Sequence, residues 1–240
     1  MDVNKKICLI NQPAGIGDVL FLQKMVSFYI ERGFFVVFPL IEEILYIKDY
    51  VKNPNLMFCG VNENFPYKDQ YWNTVKFFES DNFIYVPATF ADRFIVGSCM
   101  EAKYKLINLG FEDWKNYFNF ERNHEKENNL YYNVLNLKDD DEYCFINKRW
   151  GTPPHMLTKD VHFEFSGKVI EMNLLDGYTV FDWCKVIENA NQISIVDTSL
   201  NYIIEKLNLK SQKNFLNSRF TPPNFIHIIN LFQKNWSYLN

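Results

Sequence analysis

An apolar run, Lys6–Ile10, ends in the turn Ala14-Gly15, and apolar residues then recur at helical spacing (Val19, Leu22, Val26, Tyr29 and Ile30) as far as Gly33. A second apolar run, Phe34–Phe38, follows at once. Strand, helix and strand within about 33 residues is the spacing of a right-handed βαβ crossover, which lays two parallel strands side by side. The chain is therefore committed early to a parallel sheet covered by helices.

The plan repeats along the chain. Ile41–Val51 reads as a helix, Leu56–Cys59 and Phe83–Val86 as strands, and the Asn-, Pro- and Tyr-rich stretch Asn62–Tyr71 as a surface loop. Ser98–Leu109 and Glu112–Phe118 read as helices separated by Gly110. The charged stretch Glu121–Glu127 reads equally well as a crossing between two halves or as a solvated helix flank. Beyond it the pattern restarts with a strand at Tyr143–Asn147, a loop through Gly151-Thr152-Pro153-Pro154, and apolar alternation in Val161–Phe165 and Val169–Met172. Thr179 and Asp182 have the spacing of a capping box for a helix reaching about Asn189. A strand at Gln192–Val196, a helix at Leu200–Leu207, a strand at Asn214–Leu216 and a last helix at Phe225–Trp236 complete the reading. The expectation is two α/β halves in tandem, 1–122 and 123–240, with the last helix packing back on the first half.

Composition narrows the function classes. A hydrophobic fraction of 48% with 18% aromatic residues supplies a core and excludes a disordered chain. A net charge of −4, with Lys and Arg scattered among acids, leaves no basic footprint for nucleic-acid phosphates. The five cysteines are odd in number and lie mostly in apolar runs, as reduced core residues do. No run reaches the roughly 18 apolar residues of a membrane span, and the first residues lack the apolar segment of a signal peptide. The expected compartment is the cytoplasm, with any membrane association peripheral. Oligomeric state leaves no mark on the sequence.

Two strand-to-helix junctions carry the candidate chemistry. In the first, Gly15-Ile16-Gly17-Asp18 places two residues without side chains at a sharp turn and a carboxylate in the first helical turn, where the helix dipole favours its ionised form. Such a carboxylate can act as a general base, and equally can serve only as a helix-start residue. A dinucleotide fingerprint fails, because the third glycine of its pattern would fall at Leu20. In the second junction, Asp197, Thr198, Ser199 and Leu200 lie between a buried strand and a helix, so their N–H groups and hydroxyls suit an anion such as a diphosphate. Lys148 and Arg149, at the carboxyl end of Tyr143–Asn147, would join them on a neighbouring strand as a leaving-phosphate site. The bland alternative is an ordinary cap and a solvated loop. Two such edges, one in each half, point to a cleft between two sheets.

Gly15-Ile16-Gly17-Asp18-Val19-Leu20 after the first strand, together with Ile195-Val196-Asp197-Thr198-Ser199-Leu200 late in the chain, resembles the heptosyltransferase-like glycosyltransferases. The resemblance implies two Rossmann-like domains facing a cleft, the GT-B fold, in a small version. It implies Asp18 as base toward an acceptor hydroxyl, Asp197 and Thr198 at the donor diphosphate, and Lys148 or Arg149 on the donor phosphates. It further implies a nucleotide-sugar donor as co-substrate, a glycan or glycolipid acceptor, and no metal or other cofactor. The family commonly has glycine where this chain has Ser199, and Asn147-Lys148-Arg149 is also similar to the basic turn of fucosyltransferases that use a GDP-sugar.

Other residues carry less. His124, His155, His162 and His227 have no cysteine or histidine at metal-binding spacing, and the acidic run Asp139–Glu142 reads as solvated. Tyr67, Tyr71 and Trp72 read as sealing a loop onto the core rather than as a sugar platform. Arg93, just beyond the Phe83–Val86 strand, lies at another carboxyl end and is a candidate on the acceptor side. The competing reading of the whole chain is a non-catalytic nucleotide- or glycan-binding module on the same scaffold.

Overall fold

Strand β1 (Ile7–Ile10) is buried along its whole length, as an all-apolar strand must be when both faces of its sheet are covered. The computed structural model describes residues 5–93, 99–223, 225 and 231–239, and the chain divides into two compact units, 1–121 and 122–240.

In the first unit, α1 (Ile16–Phe21) and α2 (Gln23–Glu31) lead to β2 (Phe35–Leu40), which runs parallel to β1 with Val36 opposite Cys8. Strand β3 (Leu56–Gly60) adds outside β2. The chain then passes through α3 (Lys68–Tyr71) and the short β4 (Phe78–Glu79) to β5 (Phe83–Val86), which pairs with the opposite side of β1. The order β3-β2-β1-β5-β4 leaves β4 as an antiparallel edge. Strand order reverses between β1 and β5, and such a reversal opens a crevice at the carboxyl ends of the strands. After a 3-10 turn at Ala88–Arg93 comes α4 (Cys99–Lys105). Tyr104 fixes α4 against α1: its ring meets Phe21 edge-on at 4.9 Å and its hydroxyl donates to the Phe21 carbonyl.

Two expected helices are 3-10 turns instead, over Glu42–Asp49 and Trp114–Asn116. In the first, Ile41, Ile44, Ile47 and Tyr50 recur every third residue, the period of a 3-10 helix, and Ile44, Ile47 and Tyr50 are buried. Nor is Asn62–Tyr71 a plain surface loop. Phe65 is buried, and Tyr71 and Trp72 pack on Ile7, Leu9, Val37, Phe83 and Tyr85, so these aromatics close onto the core, whereas Tyr67 stays exposed with its ring centroid 3.9 Å from that of Phe83.

The second unit opens with α5 (His124–Asn128), capped by the Asn123 side chain accepting from the Lys126 N–H at 3.0 Å, and continues into a π-helical turn at Asn129–Val134. Then come β6 (Tyr143–Asn147), the antiparallel pair β7 (Arg149–Trp150) and β8 (Leu157–Thr158), and β9 (Lys168–Glu171) parallel to β6. The capping box is present, with the Asp182 carboxylate accepting from the Thr179 N–H at 2.7 Å, and leads into α6 (Cys184–Asn189). Strand β10 (Gln192–Val196), α7 (Leu200–Ile204), β11 (Lys213–Asn217) and β12 (Trp236–Leu239) follow. The order β12-β11-β10-β6-β9 is parallel throughout, with its reversal between β6 and β10.

Two readings are corrected here. The last helix, Phe225–Trp236, is not formed where residues are described: Trp236 begins β12, which pairs with β11 in the second unit. The cause is the Glu205 carboxylate, which accepts from the N–H groups of Gln233 and Lys234 at 2.9 and 3.0 Å and from the Trp236 indole at 3.2 Å, tying the residues that lead into β12 to the end of α7. The alternation in Val161–Phe165 makes no strand either. The segment lies extended over the sheet, with Val161, Phe163 and Phe165 packed on Cys144, Ile146 and Val196. Its backbone is satisfied by side chains: Asn217 accepts from the His162 N–H at 3.0 Å, and Gln192 bridges the N–H and carbonyl of Glu164 at 2.8 and 3.0 Å. Alternation reports an extended backbone with one buried side, and side-chain amides can replace a neighbouring strand as its partner.

Cys8, Cys59, Cys144 and Cys184 are free and buried. Burial pushes the Cys59 thiol up to about 11 and the Cys144 thiol up to about 12, and raises Cys8 and Cys184 as well. Because the folded thiols hold their protons more tightly than unfolded ones at about 8.5, their contribution to stability is complete below that pH and is lost as pH rises toward 11–12. At pH 8 these four thiols are expected to resist iodoacetamide in the native protein and to react fully in denaturant, as read by peptide mass spectrometry.

Candidate active site

At the reversal in the first sheet, the loops leaving β1 and β5 converge on one buried ammonium. Lys103, on α4, donates to Gln12 Oε1 at 2.6 Å and to the Ala88 carbonyl at 3.4 Å, and lies 3.0 Å from Asp18 Oδ1. Its side chain is only 7% exposed, whereas that of Asp18 is 28% exposed, so the carboxylate is the member of the pair that a ligand can reach. Asn11 ties the same strand ends together, its amide donating to the Trp72 carbonyl at 2.8 Å and to the Tyr85 hydroxyl at 2.9 Å.

Gly15 is required at this turn for two reasons. Its φ of +87° is one that L side chains rarely adopt, and a Cβ there would fall on Asp18 Oδ2. Ile16 opens α1 and Gly17 is buried within it. Gly15→Ala is expected to cost about 1–3 kcal/mol through backbone strain and to push the Asp18 carboxylate aside. Thermal unfolding reads the first effect and a crystal structure of the variant reads the second. Arg93 ends the 3-10 turn after β5, but its side chain lies outside the described residues.

At the reversal in the second sheet, Asn147 lies opposite Ile195, so Lys148-Arg149 and Asp197-Thr198 leave neighbouring strands at one edge. The side chains are deployed differently from the sequence reading. The Lys148 ammonium leans toward β9, 3.7 Å from Glu171 and 3.4 Å from Asp160. Arg149 is held by the Asn147 side chain, which accepts from its N–H at 3.2 Å and donates to its carbonyl at 2.9 Å. Asp197 is buried and pairs with Arg219, beyond the end of β11, at 3.5 Å; the Arg219 guanidinium also lies 5.8 Å from the Trp150 ring and 5.1 Å from that of Phe220. The Thr198 N–H is taken by the Asn201 side chain at 3.0 Å, and that of Asp197 by the Asn217 carbonyl at 2.9 Å, so neither is offered to an anion. Ser199 is in ordinary helical conformation (φ −55°), which places no demand for glycine at this position.

Lys103 and Arg219 are the residues that the sequence reading missed. Arg219 was within reach of the rule that selected Lys148, a basic residue just past a parallel strand. Lys103 was visible only as a lysine flanked by the buried Ala102 and Tyr104 on a helix. Among the described residues no group of three His, Cys, Asp or Glu side chains is placed to hold a metal ion, and no helix is long and apolar enough to cross a membrane.

Each unit is thus a largely parallel α/β layer with charged side chains near the carboxyl ends of its strands, the edge at which such sheets bind ligands. The fold is similar to that of a glycosyl transferase family 9 protein from Veillonella parvula, at a TM-score of 0.52 and 12% identity over 100% of this chain and 87% of that one. A second similar structure is the iron-containing dodecameric glycosyltransferase TibC from enterotoxigenic E. coli, at a TM-score of 0.45 and 8% identity over 99% of this chain and 63% of that one. Neither a protein-family model nor a curated protein sequence matches the chain.

Proposed function

We propose that this protein is a glycosyltransferase that moves a sugar from a nucleoside-diphosphate sugar to a hydroxyl of a glycan, glycolipid or other acceptor, with inversion and without a metal ion. The observation that carries the reading is Asp18, a reachable carboxylate fixed by a buried ammonium at the reversal of a parallel sheet, in a chain with the fold of a family 9 glycosyl transferase structure. In this reading Asp18 takes the acceptor proton while the acceptor oxygen attacks the anomeric carbon. The bond from that carbon to the diphosphate oxygen breaks, and its electron pair leaves with the phosphate. Arg149 and Arg219, with the N–H groups of Ser199 and Leu200 beside the Asp197-Thr198 turn, balance the charge that develops there, and Lys148 joins them by leaving Glu171 and Asp160; one preorganised partner of this kind contributes about 3 kcal/mol. Direct attack inverts the anomeric centre.

Thermal shift against UDP-, GDP-, ADP-, CMP- and TDP-sugars identifies the donor, since a ligand at about 100 times its Kd adds about 2.7 kcal/mol to stability. Transfer is then followed by nucleotide release, and the product anomer by NMR. A product of retained configuration overturns the mechanism. Donor binding without transfer or hydrolysis, on any acceptor of a glycan and glycolipid panel, supports a binding module instead.

A further inference from the structure

We infer that Lys103 is a positioning residue that fixes which oxygen of Asp18 serves as the base. The inference rests on the reading of Asp18 given above. The ammonium donates to Gln12 Oε1 and to the Ala88 carbonyl and forms an ion pair with Asp18 Oδ1, so oxygens from the loops after β1 and β5 and from α1 surround it. The neighbouring Tyr104 anchors α4, and with it the Lys103 backbone, to the Phe21 carbonyl. Asp18 is held correspondingly. Its Oδ1 faces the ammonium, and its Oδ2 occupies the space over Gly15 where any other residue would place a Cβ.

The pair therefore divides the carboxylate's work. Oδ1 is spent on the lysine, and Oδ2, over the bare glycine, is the oxygen left to accept a proton. A carboxylate free to rotate would present either oxygen at varied angles, and a misplacement of about 1 Å at a reacting group costs on the order of 10²-fold in rate. Gly15 and Lys103 hold the same side chain from opposite sides, one by steric room and one by charge.

The test is the Lys103→Met variant, which keeps the length of the buried chain and removes the charge. Its crystal structure is expected to show the Asp18 carboxylate turned away from its place over Gly15. Its kcat is expected to fall about 10²-fold, with the donor thermal shift and the acceptor KM unchanged. Adding Lys103→Met to Asp18→Asn should then cost no further activity, because both substitutions disable one oxygen. Should Lys103→Met fail to fold, Gln12→Met loosens the ammonium from its other side and is expected to show the same displaced carboxylate and a smaller loss of kcat. An Asp18 carboxylate unmoved in the variant crystal, or a loss that adds in full to that of Asp18→Asn, overturns the positioning role while leaving Asp18 as base. An Asp18→Asn protein that transfers sugar at the wild-type rate instead overturns the base assignment itself.

Discussion

Replacing Asp18 by Asn is expected to reduce transfer by about 10²–10⁴-fold while leaving donor binding as it was, because the amide keeps the shape of the carboxylate and loses only its ability to take a proton. The fold should survive the change. Gln12 Oε1 and the Ala88 carbonyl still accept from Lys103, and the new amide oxygen can take the place of Oδ1, so the buried ammonium keeps its partners. The measurement pairs a nucleotide-release assay with the donor-induced shift in melting temperature. Equal loss of both would mean that Asp18 binds donor rather than activating an acceptor.

Arg122→Met is expected to destabilise the second unit by about 3–5 kcal/mol, the cost typical of stranding a buried charge. Glu127 is almost wholly buried, its side chain 1% exposed, and Arg122 grips it with two guanidinium nitrogens while a third reaches Glu188 at 2.7 Å. The Glu127 hydrogen bond, acting with that of Glu188, raises the Arg122 pKa against the opposing effect of burial. Such a pair contributes little net stability over an apolar replacement, yet removing one member alone leaves the other uncompensated. Arg122→Met with Glu127→Leu is therefore expected to recover most of the loss. Urea unfolding of the two variants at neutral pH measures the difference.

Much of this layout is legible along the chain because its signals are local. The four buried strands β1, β5, β6 and β10 are mostly apolar stretches of four or five residues, and each lies at its expected place. Thr179 and Asp182 are three residues apart, so their capping box needs nothing but the chain between them. Misreadings arise where a partner is distant. Trp236 belongs to a strand because Glu205 reaches it, and Val161–Phe165 remains extended without a ladder because Gln192 and Asn217 supply the hydrogen bonds. No window around either segment contains those partners.

The candidate site divides the same way. Gly15 and Asp18 are readable because a glycine turn ahead of a helix is a local pattern with a local reason. The ammonium that fixes Asp18 comes from Lys103, 91 positions beyond the Gln12 it also contacts, and is delivered by Tyr104 docking α4 on Phe21. Asp197 was visible as a turn carboxylate, but its counter-charge Arg219 was not, and the Lys148 ammonium, expected beside an anion, is drawn to Glu171 on the adjacent strand. By itself the sequence determined the periodicities, and with them the strands, the glycine turn and the carboxylates at strand ends. Which cation meets which carboxylate was decided only by tertiary packing, since a long basic side chain takes its place from the elements packed around it and not from its neighbours in the chain.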